Sequence, residues 1–324
     1  MLPVLLLFLV VMLAVCGCDS EPVNESSVES VASPHPSDRC AQFEILVGFG
    51  VGGGTDSFAR HLAVPLAEQL GSPVKVRNFV GGSGINAYRE LLGRHTNGCS
   101  LLAITSDYTV LAAVPDSEGD LGRLALLVRA HSETGLFLGA SDASWSELVT
   151  ELGPASRPLL VGGIGARSFD RAVVVSSLRN QPFRFRYIPY RGAREMQADL
   201  LAGRLDAIYD EFSVVRSLLT VGELGVLLQL TSGPTDVPAD APTSADLGLA
   251  VPPKIWRGMA VSAATPLPIQ DDLVASLREA LAAESYRRYE VQRALDEPGG
   301  KELDPDAFSR SVQREVELFE TVFR

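Results

Sequence analysis

Apolar side chains recur every four residues at Phe58, Leu62, Leu66 and Leu70, the spacing that lines one face of an α-helix. The pattern predicts a helix over 57–70, closed by Gly71, with a kink at Pro65. Before it, the run Phe43-Glu44-Ile45-Leu46-Val47 reads as a buried strand, and after it 74–76 as a short one. A helix over 86–93 and a strand over 101–104 follow. The order strand, helix, strand, helix, strand implies a parallel sheet with right-handed crossovers. The same order starts again with strand 159–161, helix 168–178, strand 183–188, helix 193–201, strand 206–209 and helix 213–219. Two α/β units are therefore predicted, alike in architecture but not in sequence. Helices at 269–283 and 306–323 have no strands of their own and are expected to pack back on an earlier domain.

The ends change this picture. The apolar stretch 2–15 is shorter than the roughly 20 residues a membrane-spanning helix takes, so it reads as a secretory signal. Val15-Cys16-Gly17-Cys18 resembles a bacterial lipobox, which implies a signal peptide over 1–17 and a lipid on Cys18. Residues 18–39 are rich in Ser, Pro and Glu and hold no aromatic side chain, so they bury too little to fold. As a disordered tether they reach about 25 Å.

The formal net charge of −12 argues against nucleic acid or anionic lipid as a surface partner, while leaving open an anionic ligand held in a pocket. Once Cys16 is removed and Cys18 acylated, Cys40 and Cys99 remain. Each stands just before a strand. If those strands are parallel neighbours, their starts lie within bridging range, and an exported protein meets oxidising conditions. A Cys40–Cys99 disulfide is expected, with two unpaired thiols as the alternative.

Three Gly-rich turns, at 48–56, 78–84 and 162–165, each follow a strand and precede a helix. That places unpaired backbone amides and helix N-termini at the C-terminal edge of a sheet, the edge that holds anions. Gly48-x-Gly50-x-x-Gly53 fits the dinucleotide fingerprint. Arg77-Asn78 stands where an acidic residue would bind ribose, which would favour NADP. Export argues against a nicotinamide cofactor, so an NADP-dependent oxidoreductase is kept only as an alternative. His61, His95 and His131 have no His or Cys partner at metal-ligand spacing, and no GxSxG motif is present. No enzyme, metal or cofactor is expected. The carboxylate pair Asp210-Glu211 reads as a hydrogen-bonding wall.

The string from Phe43 to Arg60, FEILVGFGVGGGTDSFAR, resembles the opening of the Bug family, the extracytoplasmic solute receptors of tripartite tricarboxylate transporters. The resemblance continues through Asn78 to Gly84, Asn97 to Leu102, Thr105-Ser106, Gly163 to Gly165, Ile188 to Ala193, Asp199 to Asp206, Trp256 to Gly258 and Thr265-Pro266. It implies an α/β type II periplasmic-binding-protein fold: two doubly wound domains, a ligand cleft between them and two interdomain crossovers. Domain 1 would be 40–138 plus 260–324, domain 2 would be 139–259, and the crossings would fall near 136–139 and 259–262.

The resemblance also implies a site. Phe49, Gly52, Gly53, Gly54, Thr55, Asp56, Gly82, Ser83, Thr105 and Ser106 would form the first wall, with the amides of 52–55 and the Thr55 hydroxyl taking a carboxylate. Asp56 would cap the helix or fix waters. Gly165, Ala166, Arg167, Ser168, Tyr190, Arg191, Asp210 and Glu211 would form the second, with Arg167 pairing directly with ligand charge. Glu211 would repel a second carboxylate or accept an ammonium or hydroxyl group, which argues against a di- or tricarboxylate. The expected partners are a small carboxylate, the integral membrane subunits of such a transporter and a membrane held by the N-terminal lipid, the receptor itself being a monomer. A receptor that signals to a sensor kinase is the third alternative.

Overall fold

The computed structural model describes residues 36–115, 118–151, 157–233, 237, 240–295 and 301–323. The expected signal peptide at 1–17, the lipid site Cys18 and the tether up to residue 35 lie outside the described residues. The last residues of the expected tether are ordered instead: helix α1, Pro36–Arg39, leads into Cys40, and Arg39 pairs with Asp272 at 3.5 Å.

The chain continues as β1 (Phe43–Val47), α2 (Gly54–Leu70), β2 (Val74–Asn78), α3 (Ile85–Leu92), β3 (Ser100–Thr105), α4 (Asp107–Ala113) and β4 (Leu124–Glu133). A second series comprises β5 (Gly135–Ala140), α5 (Trp145–Glu151), β6 (Leu159–Ile164), α6 (Phe169–Leu178), β7 (Phe185–Tyr190), α7 (Ala193–Leu201), β8 (Ala207–Glu211), α8 (Phe212–Thr220) and β9 (Leu224–Gln229). Then come β10 (Ile255–Ser262), α9 (Leu267–Ala282), α10 (Glu284–Arg293) and α11 (Pro305–Phe323).

Two five-stranded sheets form, in the orders β2-β1-β3-β10-β4 and β7-β6-β8-β5-β9. β1 pairs in parallel with β2 and β3, and β6 with β7 and β8, as the helix-strand alternation implies. The sheets are nonetheless mixed, which corrects the expectation of parallel sheets. β10 runs antiparallel between β3 and β4, and β5 antiparallel between β8 and β9. Both are strands that arrive from the other sheet, so no helical crossover dictates their direction. The chain leaves the first sheet at Thr134 and re-enters it at Ile255, earlier in both cases than the expected crossings.

Burial follows the pleat. Phe43, Ile45 and Val47 of β1 pack with Phe58, Leu62, Leu66 and Leu70 of α2, while Leu46 faces Tyr88, Leu91, Leu102 and Phe308 on the opposite side. A strand covered by helices on both faces reads as a continuous apolar run. Helix α2 starts at Gly54, earlier than expected, passes through Pro65 and ends at Gly71 with φ 62°. Thr55 and Asp56 are therefore in its first turn rather than in the loop.

Helices α4 and α11 serve both cores. Phe308 and Val312 join the first sheet, whereas Val316 and Phe319 join the second, where Phe319 meets Phe169 edge to face at 5.6 Å. Likewise Tyr108 and Leu111 belong to the first core, Val110 and Ala113 to the second. Cys40 and Cys99 form a disulfide with Cα atoms 5.7 Å apart. The pairing of Glu44 with Ser100 brings the two strand starts side by side.

Candidate functional site

The C-terminal ends of β1 and β3 face those of β6 and β7 across a cavity of about 730 Å³. Gly48, Phe49, Gly50, the turn from Val80 to Ser83, Ile85 and Asp107 line one wall, and Ile164, Gly165, Ala166, Arg167, Tyr190 and Arg191 the other. Arg89, Leu111 and Glu118 complete the rim. The walls come together at one point. Gly165 has φ 80°, and a Cβ built on it would lie 2.8 Å from the Ser83 hydroxyl oxygen. Only glycine allows both that backbone and that approach.

The first Gly-rich loop is held by one carboxylate. Asp56 accepts hydrogen bonds from the Gly52 amide (2.9 Å), from Arg60 Nε and Nη2 (2.9 and 2.8 Å) and from Asn78 Nδ2 (2.8 Å). Burial would raise its pKa, but the bonds from Arg60, Gly52 and Asn78 outweigh burial and hold the carboxyl below its usual range. The Gly53 amide donates to Gly50 O at 3.2 Å. The amides of Gly52 and Gly53 are thus used within the loop, and Gly52, Gly53, Gly54, Thr55 and Asp56 do not line the cavity. The loop presents Gly48, Phe49 and Gly50 instead.

Behind the loop stands Arg257 of β10, which sequence reasoning placed only in a matching motif. A Cβ on Gly54 would lie 2.2 Å from its Nη2. Buried, it donates to Glu133 Oε1 (2.5 Å) and to the Thr55 hydroxyl (3.4 Å), and pairs with Glu211 Oε2 at 3.1 Å. Burial would lower its pKa, but Glu211 and Glu133 raise it above the ordinary arginine value. Glu211 is therefore held inside the protein, sharing Arg257 with Glu133, and does not stand in the cavity wall where the sequence placed it. Its neighbour Asp210 points to the opposite face of β8, as alternation requires. There it accepts from Gln197 Nε2 (3.1 Å), and burial together with Glu211 pushes its carboxyl up to about 8. Neither residue lines the cavity.

Asp107 was missed, although Thr105-Ser106-Asp107 closes a strand and opens a helix as the three glycine turns do. Its Oδ1 accepts from the Phe169 amide at 3.0 Å and its Oδ2 from the Thr105 hydroxyl at 3.1 Å. Burial pushes it up, opposed by those two bonds and by the charge of Arg257. Thr105 and Ser106 stand behind it, outside the cavity lining, and the buried Ser106 hydroxyl has no hydrogen-bond partner among the described residues. Ser168 caps α6, accepting from the Arg171 amide at 3.3 Å, and is also outside the lining.

On the second wall Arg167 and Arg191 are exposed and make no ion pair within the described residues. Tyr190 donates to Asp199 Oδ2 at 2.6 Å. Of the residues named from sequence, the cavity thus gathers Phe49, Gly82, Ser83, Gly165, Ala166, Arg167, Tyr190 and Arg191.

No protein-family model matches the chain. It is 27% identical to protein BugT of Bordetella pertussis over 236 residues, 67% of this chain and 70% of BugT. It is 24% identical to a UPF0065 protein of Pseudomonas sp. (strain P51) over 285 residues, covering 83% and 82% of the two chains. Among solved structures, the periplasmic binding protein BugD matches with TM-score 0.76, 21% identity, and 87% and 96% coverage of the two chains. MatC of Rhodopseudomonas palustris with bound malate matches at 0.76, with 22% identity and 87% and 99% coverage. An R. palustris protein with adipate matches at 0.77, with 22% identity and 87% and 95% coverage. The chain is thus similar in sequence to BugT and to the UPF0065 protein, and it shares its two-sheet α/β fold with the periplasmic binding protein BugD.

Proposed function

We propose that the protein is a non-enzymatic, extracytoplasmic solute receptor that captures a small carboxylate between its two lobes and delivers it to a tripartite tricarboxylate-type membrane transporter. The observation that carries this reading is the two exposed guanidinium groups of Arg167 and Arg191, without an ion pair among the described residues, facing the glycine loops across a cavity of about 730 Å³. Guanidinium suits carboxylate because both are planar and can share two hydrogen bonds. Proteins of this fold have been solved with malate and with adipate, both carboxylates. Contacts that span the lobes, Asp107 with Phe169 and Arg257 with Glu211, support a closed form that the membrane subunits would recognise. A lipid on Cys18 would keep a monomeric receptor at the membrane surface.

The dinucleotide alternative has less support. Arg77, which would bind the ribose phosphate, pairs with Glu44 at 3.4 Å, and neither it nor Asn78 lines the cavity.

Thermal-shift measurements against mono-, di- and tricarboxylates test the reading. A ligand at a hundred times its Kd adds about 2.7 kcal/mol, a rise in melting temperature of about 5–10 °C for a chain of this size. Arg167→Ala, an exposed position, should abolish the shift without changing the melting temperature of the free protein. Stabilisation by NADPH, with no response to any carboxylate, would overturn the receptor.

A further inference from the structure

The charged side chains lining the cavity are Arg89, Asp107, Glu118, Arg167 and Arg191. Arg89 donates Nε to Glu118 at 2.6 Å, and their charges cancel. Arg167 and Arg191 then stand against the single carboxylate of Asp107, leaving one net positive charge in the cavity.

The position of Asp107 explains what that carboxylate does. It belongs to α4, beside the first sheet, yet it accepts the amide of Phe169, the first residue of α6 beside the second sheet. The first amides of a helix lack partners within the helix and attract anions. Asp107 therefore occupies, from inside the protein, a place that a ligand carboxylate would otherwise take. Both of its oxygens accept hydrogen bonds, the arrangement of an ionised group. Removing it would expose the amide and raise the cavity to two net positive charges.

We infer that Asp107 is an internal carboxylate that sets the charge of the solute, so that the cleft selects a monocarboxylate bearing an uncharged or cationic polar group over a dicarboxylate. The inference rests on the receptor reading and narrows its ligand. It replaces Glu211, which pairs with Arg257 outside the cavity lining, as the residue that excludes a second carboxylate.

Isothermal titration of the purified protein at pH 7 with matched pairs decides the matter: butyrate against succinate, 3-hydroxybutyrate against malate, and hexanoate against adipate, with 4-aminobutyrate as the cationic member. Wild-type protein should bind a monocarboxylate at least tenfold more tightly than its dicarboxylate partner. Asp107→Asn, which keeps an oxygen for the Phe169 amide, should shift that ratio at least tenfold towards the dicarboxylate. A wild-type preference for the dicarboxylate, or an unchanged ratio in the variant, overturns the inference while leaving the receptor intact. If the variant does not fold, the wild-type ratio alone decides. Absence of binding to every compound removes the receptor reading and the inference together.

Discussion

Replacing Arg257 with leucine leaves two buried carboxylates, Glu133 and Glu211, without their counter-charge. At the 3.1 Å separation of Arg257 and Glu211, an effective dielectric constant near 20 corresponds to an attraction of about 5 kcal/mol before desolvation. The cost of burying the ions offsets much of that attraction in the intact pair. Removing one partner keeps the cost and discards the gain, so a loss of about 3–5 kcal/mol is expected, equivalent to a fall in melting temperature of roughly 6–20 °C. The loss should depend on pH. Burial already pushes the Glu133 carboxyl up, with Arg257 pulling it back, and without the arginine it rises further. A carboxyl raised in the folded state costs stability as pH climbs above the ordinary glutamate value of about 4.3. The penalty should therefore be full at pH 7 and shrink to about 1 kcal/mol or less near pH 4. Urea unfolding followed by circular dichroism at both pH values measures it. A loss below about 1 kcal/mol at pH 7, or one equal at the two pH values, would refute the reasoning.

Other expectations are local. Reduction of the Cys40–Cys99 bridge, which spans a sequence separation of 59, should cost about 4 kcal/mol by the loop-entropy relation, read as a lower urea midpoint in dithiothreitol. Glu315 accepts from Trp256 Nε1 at 2.7 Å, and burial pushes its carboxyl up to about 7. Wild-type stability should thus fall between about pH 4.5 and 7, and Glu315→Gln should gain on wild type by up to about 3 kcal/mol across that window, measured by urea titration at each pH. Leu62→Ala empties a fully buried site between α2 and the first sheet and should cost about 2–5 kcal/mol, seen as a lower melting temperature with ligand preference unchanged.

Elements were legible where one local period dominated. The helix α7 at Ala193–Leu201 and the strand β1 at Phe43–Val47 match their expected bounds because their apolar spacing and flanking turns agree. β4, β5, β9 and β10 were not foreseen. β10, IWRGMAVS, is central and buried although it holds Arg257; an arginine inside a strand gives no sign of burial until its carboxylate partners are known. Of the residues named from sequence, those that line the cavity lie in the turns after β1, β2 and β6 and at the end of β7, among them Phe49, Ser83, Gly165 and Arg167. The site was illegible wherever a group's availability depended on a remote partner.

The sequence by itself determined the alternation of helices and strands, the glycine turns at strand ends and the surplus of negative charge, because each follows from near neighbours along the chain or from composition. Tertiary structure alone decided which polar groups reach the cleft. Arg257 and Thr55 stand 202 positions apart, and Asp107 reaches Phe169 from the other lobe. The free energy of a buried charge or amide depends on what surrounds it in space, and only folding brings those surroundings together.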